Sequence, residues 1–201
     1  DTTFELQPAN AGAIAFNIGT LNGGGAVGSQ AKIQSGTGSA TDVNSILEVE
    51  NGSYSGILQD NPDGETTLGL SVSEGEFTLD TDGSGTYSGT TGVANDGTFI
   101  LKGTIDGTSI VQVRDTSTFT IDGGSLTTEI GDEPGTVVVS SGGTMNLENS
   151  ATLTTEGGLT VAGTFNANAS TSDINGEGLV QSGGVINVQD GATMNFNKDE
   201  T

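Results

Sequence analysis

Three acidic pairs stand where carboxylate chemistry could be assembled: Asp80 with Asp82, Asp132 with Glu133, and Glu74 with Glu76. Residues two apart on a strand project to one face, roughly 7 Å from each other, a separation that suits paired-carboxylate hydrolysis of glycosides. The rest of the catalytic inventory is thin. There is no histidine and no cysteine, which removes Ser-His-Asp and Cys-His nucleophiles and the usual zinc ligands. Sites that hold sugar for cleavage also need cations and aromatic platforms, and the chain has four Lys and Arg together, two Tyr and no Trp. The acidic pairs therefore read as solvated, outward-pointing groups. The expectation is a protein that is not an enzyme, with a polysaccharide-active enzyme as the alternative.

One stretch has metal-ligand spacing. Asp80, Asp82, Ser84 and Gly85 reproduce the D-x-D-x-S-G opening of an EF-hand loop. The twelfth position is Thr91 instead of the bidentate glutamate, and no helix flanks the stretch. Asp80, Asp82 and Ser84 are thus weak metal candidates, with calcium as the ion they would take, and otherwise a corner followed by a strand. No cofactor is called for. The segment 60–65 is equally acidic, but its Asn-Pro and Asp-Gly steps explain it as a turn. The glycine trio Gly23 to Gly25 is not followed by the Lys-Ser/Thr of a phosphate loop.

Composition narrows the partners. Twenty-six acidic residues face four basic ones, for a net charge of −22. Lys32, Lys102, Arg114 and Lys198 are too few and too scattered to build the basic face that nucleic acid or anionic lipid requires. With no cysteine there is no disulfide framework, and no apolar run is long enough to span a bilayer. No basic segment followed by an apolar one opens the chain, so no signal peptide is expected within it. The hydrophobic fraction is low, 31% with 34 glycines, which would favour disorder were the apolar residues not regularly placed.

That placement defines the elements. Phe77, Phe99 and Phe119 recur at steps of 22 and 20, and Met145, Phe165 and Ile186 at 20 and 21. Leu153, Ile174 and Met194 form a second series, and Leu159 and Leu179 a third pair. Phe77 and Phe99 each stand two residues after a glycine at the start of a short alternating stretch, the mark of a turn and a half-buried strand. Three series with one step mean three strands per repeat and a right-handed parallel β-helix of about 20–22 residues per rung. Between Phe119 and Met145 the step lengthens to 26, where Gly131 to Gly135 signals a longer excursion. Segment 19–40 is rich in Gly and Ser and reads as a loop or a distorted rung. Leu47 and Val49 point inward, with Glu48 and Glu50 outward. Immunoglobulin-like sandwiches are the runner-up fold, but they lack this step. The chain divides into irregular N-terminal rungs over 1–50, a repeat unit over 51–130 and regular rungs over 131–201.

The middle unit carries a resemblance. Tyr54-Ser55-Gly56-Ile57 with Asp60, then Leu68 and Leu70, then Gly75, Phe77 and Leu79 lead to Tyr87-Ser88-Gly89, Thr91 and Val93, and to Gly97, Phe99 and Leu101. This run of about 50 residues resembles the autotransporter-associated β-strand repeat of bacterial secreted passenger domains. It departs in having Ser71 and Ser73 where that family often has a basic residue. The resemblance implies an extracellular scaffold or adhesin at the bacterial cell surface, contributing to adhesion and virulence and anchored by a C-terminal outer-membrane barrel absent from this stretch. Partners would be a host surface, matrix or glycan, or a second copy of the chain, with no nucleic acid and no direct membrane contact. A phage tail-spike domain is the further alternative. Tyr54 and Tyr87, at equivalent places in the repeat, are expected to cap rung corners.

Overall fold

The structure, a computed structural model, describes residues 2–6, 14–26, 30–36, 43–63, 66–130, 133–189 and 191–197. Among them there is no helix. Short strands alternate with small-residue corners, and every strand but Glu133–Pro134 pairs in parallel with a counterpart one turn of chain away. The result is a right-handed parallel β-helix with three strands to the turn. On the first face nine strands stack, from Thr3–Leu6 to Thr193–Phe196. Eight such steps make a rod of roughly 38 Å at ~4.8 Å per step. The second and third faces are separate from residue 66 onward. They fuse at the N-terminal end, where Val43–Tyr54 pairs through residues 43–49 with Thr66–Ser73 and through 52–54 with Glu76–Leu79. Gly52, at φ 121°, lies within this continuous strand and opens the second paired stretch.

Alternation fills the interior. In Thr98–Leu101, Phe99 and Leu101 are buried while Thr98 and Ile100 are only half-buried, because successive side chains leave opposite sides of a strand. In-register stacking then turns each inward position into a column. Phe77, Phe99, Phe119, Met145, Phe165 and Ile186 form one on the third face. The first three rings stack with centroids 5.8 and 4.8 Å apart. Val72, Val93, Val113, Val139 and Val161 form another on the second face. A narrow tube needs only alternate residues to be apolar, so a low hydrophobic fraction suffices.

Corners explain the glycines. At the entry to the third face, the N–H groups of Thr98, Thr118, Thr164 and Val185 donate to the carbonyls of Gly75, Gly97, Gly143 and Gly163 at 2.8–3.0 Å. Backbones pass so closely there that a side chain would meet carbonyl oxygen. A Cβ on Gly163 would lie 2.3 Å from the oxygens of both Gly143 and Ser140.

Polar ladders run up the outside. The Asn187 amide donates to Asn166 and that of Asn166 to Asn146, at 2.7 and 2.8 Å. Asn197, Asn175 and Glu156 form a second ladder at 3.0 and 2.7 Å. At the two ends the tube is open. Val180, Val188 and Phe196 hold inward positions yet are about half exposed, as is Phe4 at the other end.

Three expectations need correction. Of the two readings of segment 19–40, the rung stands and the loop does not: among its described residues it holds the end of Ile14–Gly23 and all of Lys32–Ser35, both in the parallel stack. The series Leu153, Ile174, Met194 is not one column, since Leu153 faces Ser172 and Ile174 faces Thr155. Leu159 stacks on Gly178, leaving Leu179 pointing outward and 52% exposed. This turn is 19 residues long, shorter than its neighbours. An assumed step of 20 therefore slips by one, which moves a side chain to the opposite face. The long step after Phe119 holds a small antiparallel excursion, Glu129 pairing with Pro134 and Ile130 with Glu133.

Candidate functional site

The structure separates most of the residues that sequence reasoning grouped. Asp80 closes a turn, its carbonyl accepting from Gly83 N–H at 2.7 Å and its Oδ1 from Thr81 N–H at 2.8 Å. Asp82 lies within that turn, and its backbone carbonyl accepts from the Gln30 amide. Ser84 opens the next strand. The strand geometry invoked for Asp80 and Asp82 is therefore absent, and the stretch is a corner followed by a strand. Glu74 sits at φ 63° in the corner before Glu76, so this pair does not share a strand either. Asp132 lies outside the described residues. Among the described residues no three carboxylates gather in a way that could hold a metal.

The two tyrosines cap corners from the inside. Tyr54 is buried and its hydroxyl donates to the Ala31 carbonyl at 2.8 Å. Tyr87 is buried and its hydroxyl bonds the Thr91 hydroxyl at 2.7 Å, which in turn bonds Thr108 at 3.0 Å. Burial pushes the Tyr54 phenol up to about 12 and that of Tyr87 higher still. Asp60 completes the motif. One carboxylate oxygen accepts from Leu68 N–H at 2.6 Å, and the other from the N–H and hydroxyl of Ser88 at 2.9 and 2.6 Å. These contacts clamp successive rungs, so the repeat motif is structural.

A different place has the shape of a site. On the outer side of the second face, the register aligns Glu48, Ser71, Gly92 and Gln112 in one row along the axis. Ile46 and Gly69 start the row beside it, and Ser73 and Ala94 lie on the other side. The two middle rungs thus carry Gly69, Ser71, Gly92 and Ala94, while the flanking rungs carry larger side chains. The outcome is a trough parallel to the strands, with a volume of about 570 Å³. One wall is Ile46 and Glu48, and the other is Gln112 and Arg114. The wall backbones stand three steps apart, roughly 14 Å.

The chemistry of the trough is mixed. Its floor is backbone and small side chains. Glu48 accepts from the Ser73 hydroxyl at 2.9 Å. Arg114, the chain's single arginine, donates to the Gln112 side-chain oxygen. It makes no ion pair among the described residues, whereas Lys102 lies 3.8 Å from the carboxylate of Asp122.

The chain matches no protein-family model, no curated protein and no solved structure. The trough residues must therefore speak through their own geometry. Sequence reasoning missed them because each is ordinary by type. The available signal was Gly92 between Thr91 and Val93, in a strand that would be stronger with any β-branched residue there.

Proposed function

We propose that this chain is a rigid, non-enzymatic segment of a bacterial surface protein of the autotransporter passenger kind, holding adhesive contacts away from the cell. The observation that carries the reading is the division of the rod. Most of the apolar residues are buried inside, and the outer faces present in-register rows of Thr, Asn and Ser. Such a surface makes many weak polar contacts over a length, as solenoids do. A cysteine-free chain also suits export before folding, and the Tyr-Ser-Gly motif supports the family reading.

Display of the chain on a Gram-negative cell, fused to an outer-membrane barrel, tests this. Cells carrying it are expected to bind matrix- or glycan-coated surfaces, or each other, more than cells displaying the barrel alone. Cell-to-cell clumping should rise with salt, which screens the acidic rods from one another. Full surface display with adhesion at the level of the bare barrel on every surface would sink the proposal.

A further inference from the structure

On the floor of the second face, Gly69 sits close to the Thr90 backbone, but Gly92 has no local structural cause. A Cβ on Gly92 would meet nothing within 4 Å, and its φ is not in the left-handed region. Any residue could stand there, and a glycine inside a strand weakens it by about 0.5–1 kcal/mol relative to alanine. Contrast the corner glycines, whose place is taken up by neighbouring carbonyls. A strand glycine without a local reason marks a place where something else comes close to the backbone. Here that place is the centre of a trough with a polar group on each wall.

We infer that the trough binds one extended glycan strand carrying a carboxylate-bearing sugar. The strand would lie parallel to the protein strands, across the rod axis. The C–H faces of the sugar rings would rest on Gly92, Ala94 and Ile46. Hydroxyls would donate to Glu48, and the carboxylate would meet Arg114. An arginine offers a planar fork of donors that fits a carboxylate in two parallel bonds. One of its five donors is used by Gln112. In a chain of net charge −22, Arg114, which has no ion partner among the described residues, is where a lone carboxylate is best received. A densely charged polyanion would be repelled by the rest of the surface, so the acidic sugar is sparse in the strand. A peptide fits less well. Its backbone needs hydrogen-bond partners, and the N–H and C=O groups of the floor are already spent on neighbouring rungs.

This inference deepens the adhesive reading and rests on it for its biological setting, but it is tested without cells. The intact chain is titrated by NMR and calorimetry with a neutral oligosaccharide containing one glucuronate, with the same oligosaccharide lacking the carboxyl group, and with an acidic peptide of similar length. The glucuronate ligand is expected to bind and to shift the amide signals of Gly69, Gly92 and Ala94. Gly92→Leu should fill the floor and weaken binding at least about tenfold, while Gly92→Ala leaves the thermal midpoint at or slightly above that of the wild type. Arg114→Gln should lower affinity for the glucuronate ligand about tenfold and leave the carboxyl-free one unchanged, as expected for one lost charged hydrogen-bond pair. Absence of binding, equal binding by Gly92→Leu, indifference to Arg114→Gln, or tighter binding of the peptide would each overturn the inference. Oligosaccharide binding by a chain that confers no adhesion would leave the trough standing and remove the adhesive reading alone.

Discussion

Phe99→Ala is expected to lower unfolding stability by about 3–5 kcal/mol, the range for removing a buried aromatic side chain. Phe99 is the middle ring of a three-ring stack, fully buried, with Phe77 below and Phe119 above. Its removal takes away two ring contacts at once. The rungs on either side are pinned by their own backbone ladders and cannot collapse into the space, so the cavity persists. In a solenoid each rung touches only its neighbours, and a fault in the middle uncouples the two halves. Urea unfolding should then show a lower midpoint and a broadened or split transition. Phe196→Ala provides the comparison. Its ring is 54% exposed at the open end, and its loss should cost less than about 1 kcal/mol, as for a surface substitution. Equal losses for the two variants would contradict the stacked core.

Gly163→Ala carries the other large effect, in the opposite sense of packing. The added methyl would stand 2.3 Å from two carbonyl oxygens, those of Gly143 and Ser140. Neither is the flexible end of a side chain. Both belong to the corner of the preceding rung, and the Gly143 carbonyl already accepts from Thr164 N–H at 2.9 Å. The chain must widen at that corner, which strains the ladder bond. The expected cost is about 1–3 kcal/mol, typical of overpacking. Gly92→Ala, with open space around the same added atom, should be neutral or slightly stabilising. Thermal unfolding of the two variants side by side reads the difference. A Gly92→Ala chain destabilised as much as Gly163→Ala would mean that the corners are not where the glycines are needed.

The sequence made the fold legible where rung length is constant. Phe77, Phe99 and Phe119 are large, alike and evenly spaced, so their stacking could be read directly, and it continues through Met145 and Phe165 as expected. Legibility failed where the spacing changed by a single residue. Leu179 looked like a core residue at the right interval, but a 19-residue turn put Gly178 inside in its place. Nothing in residue type warns of that, because the inward side of a strand is set by its register with the rung before. Segment 19–40 failed for a related reason. Its strands are polar or small enough to look like loop, and they hold their place by pairing with neighbours that the local sequence does not show. The candidate site was the least legible part. Glu48, Gly92 and the pair Gln112 and Arg114 come from three different rungs, and only the register puts them around one trough. The acidic pairs that did stand out are local neighbours, and local neighbours at a corner need not share a face.

The central claim is that successive turns lie parallel and in register, and a chain without cysteine allows a direct test. Thr98 and Thr118 are paired neighbours on the outside of the third face. Their backbones stand about 4.8 Å apart, within disulfide reach. The double variant Thr98→Cys with Thr118→Cys should therefore oxidise readily to an intramolecular disulfide, measured by mass spectrometry of the monomer. Thr98→Cys with Thr120→Cys, displaced by two residues, should not. Failure of the first pair, or equal yield from both, would contradict the stacked rungs on which the core, the corners and the trough all depend.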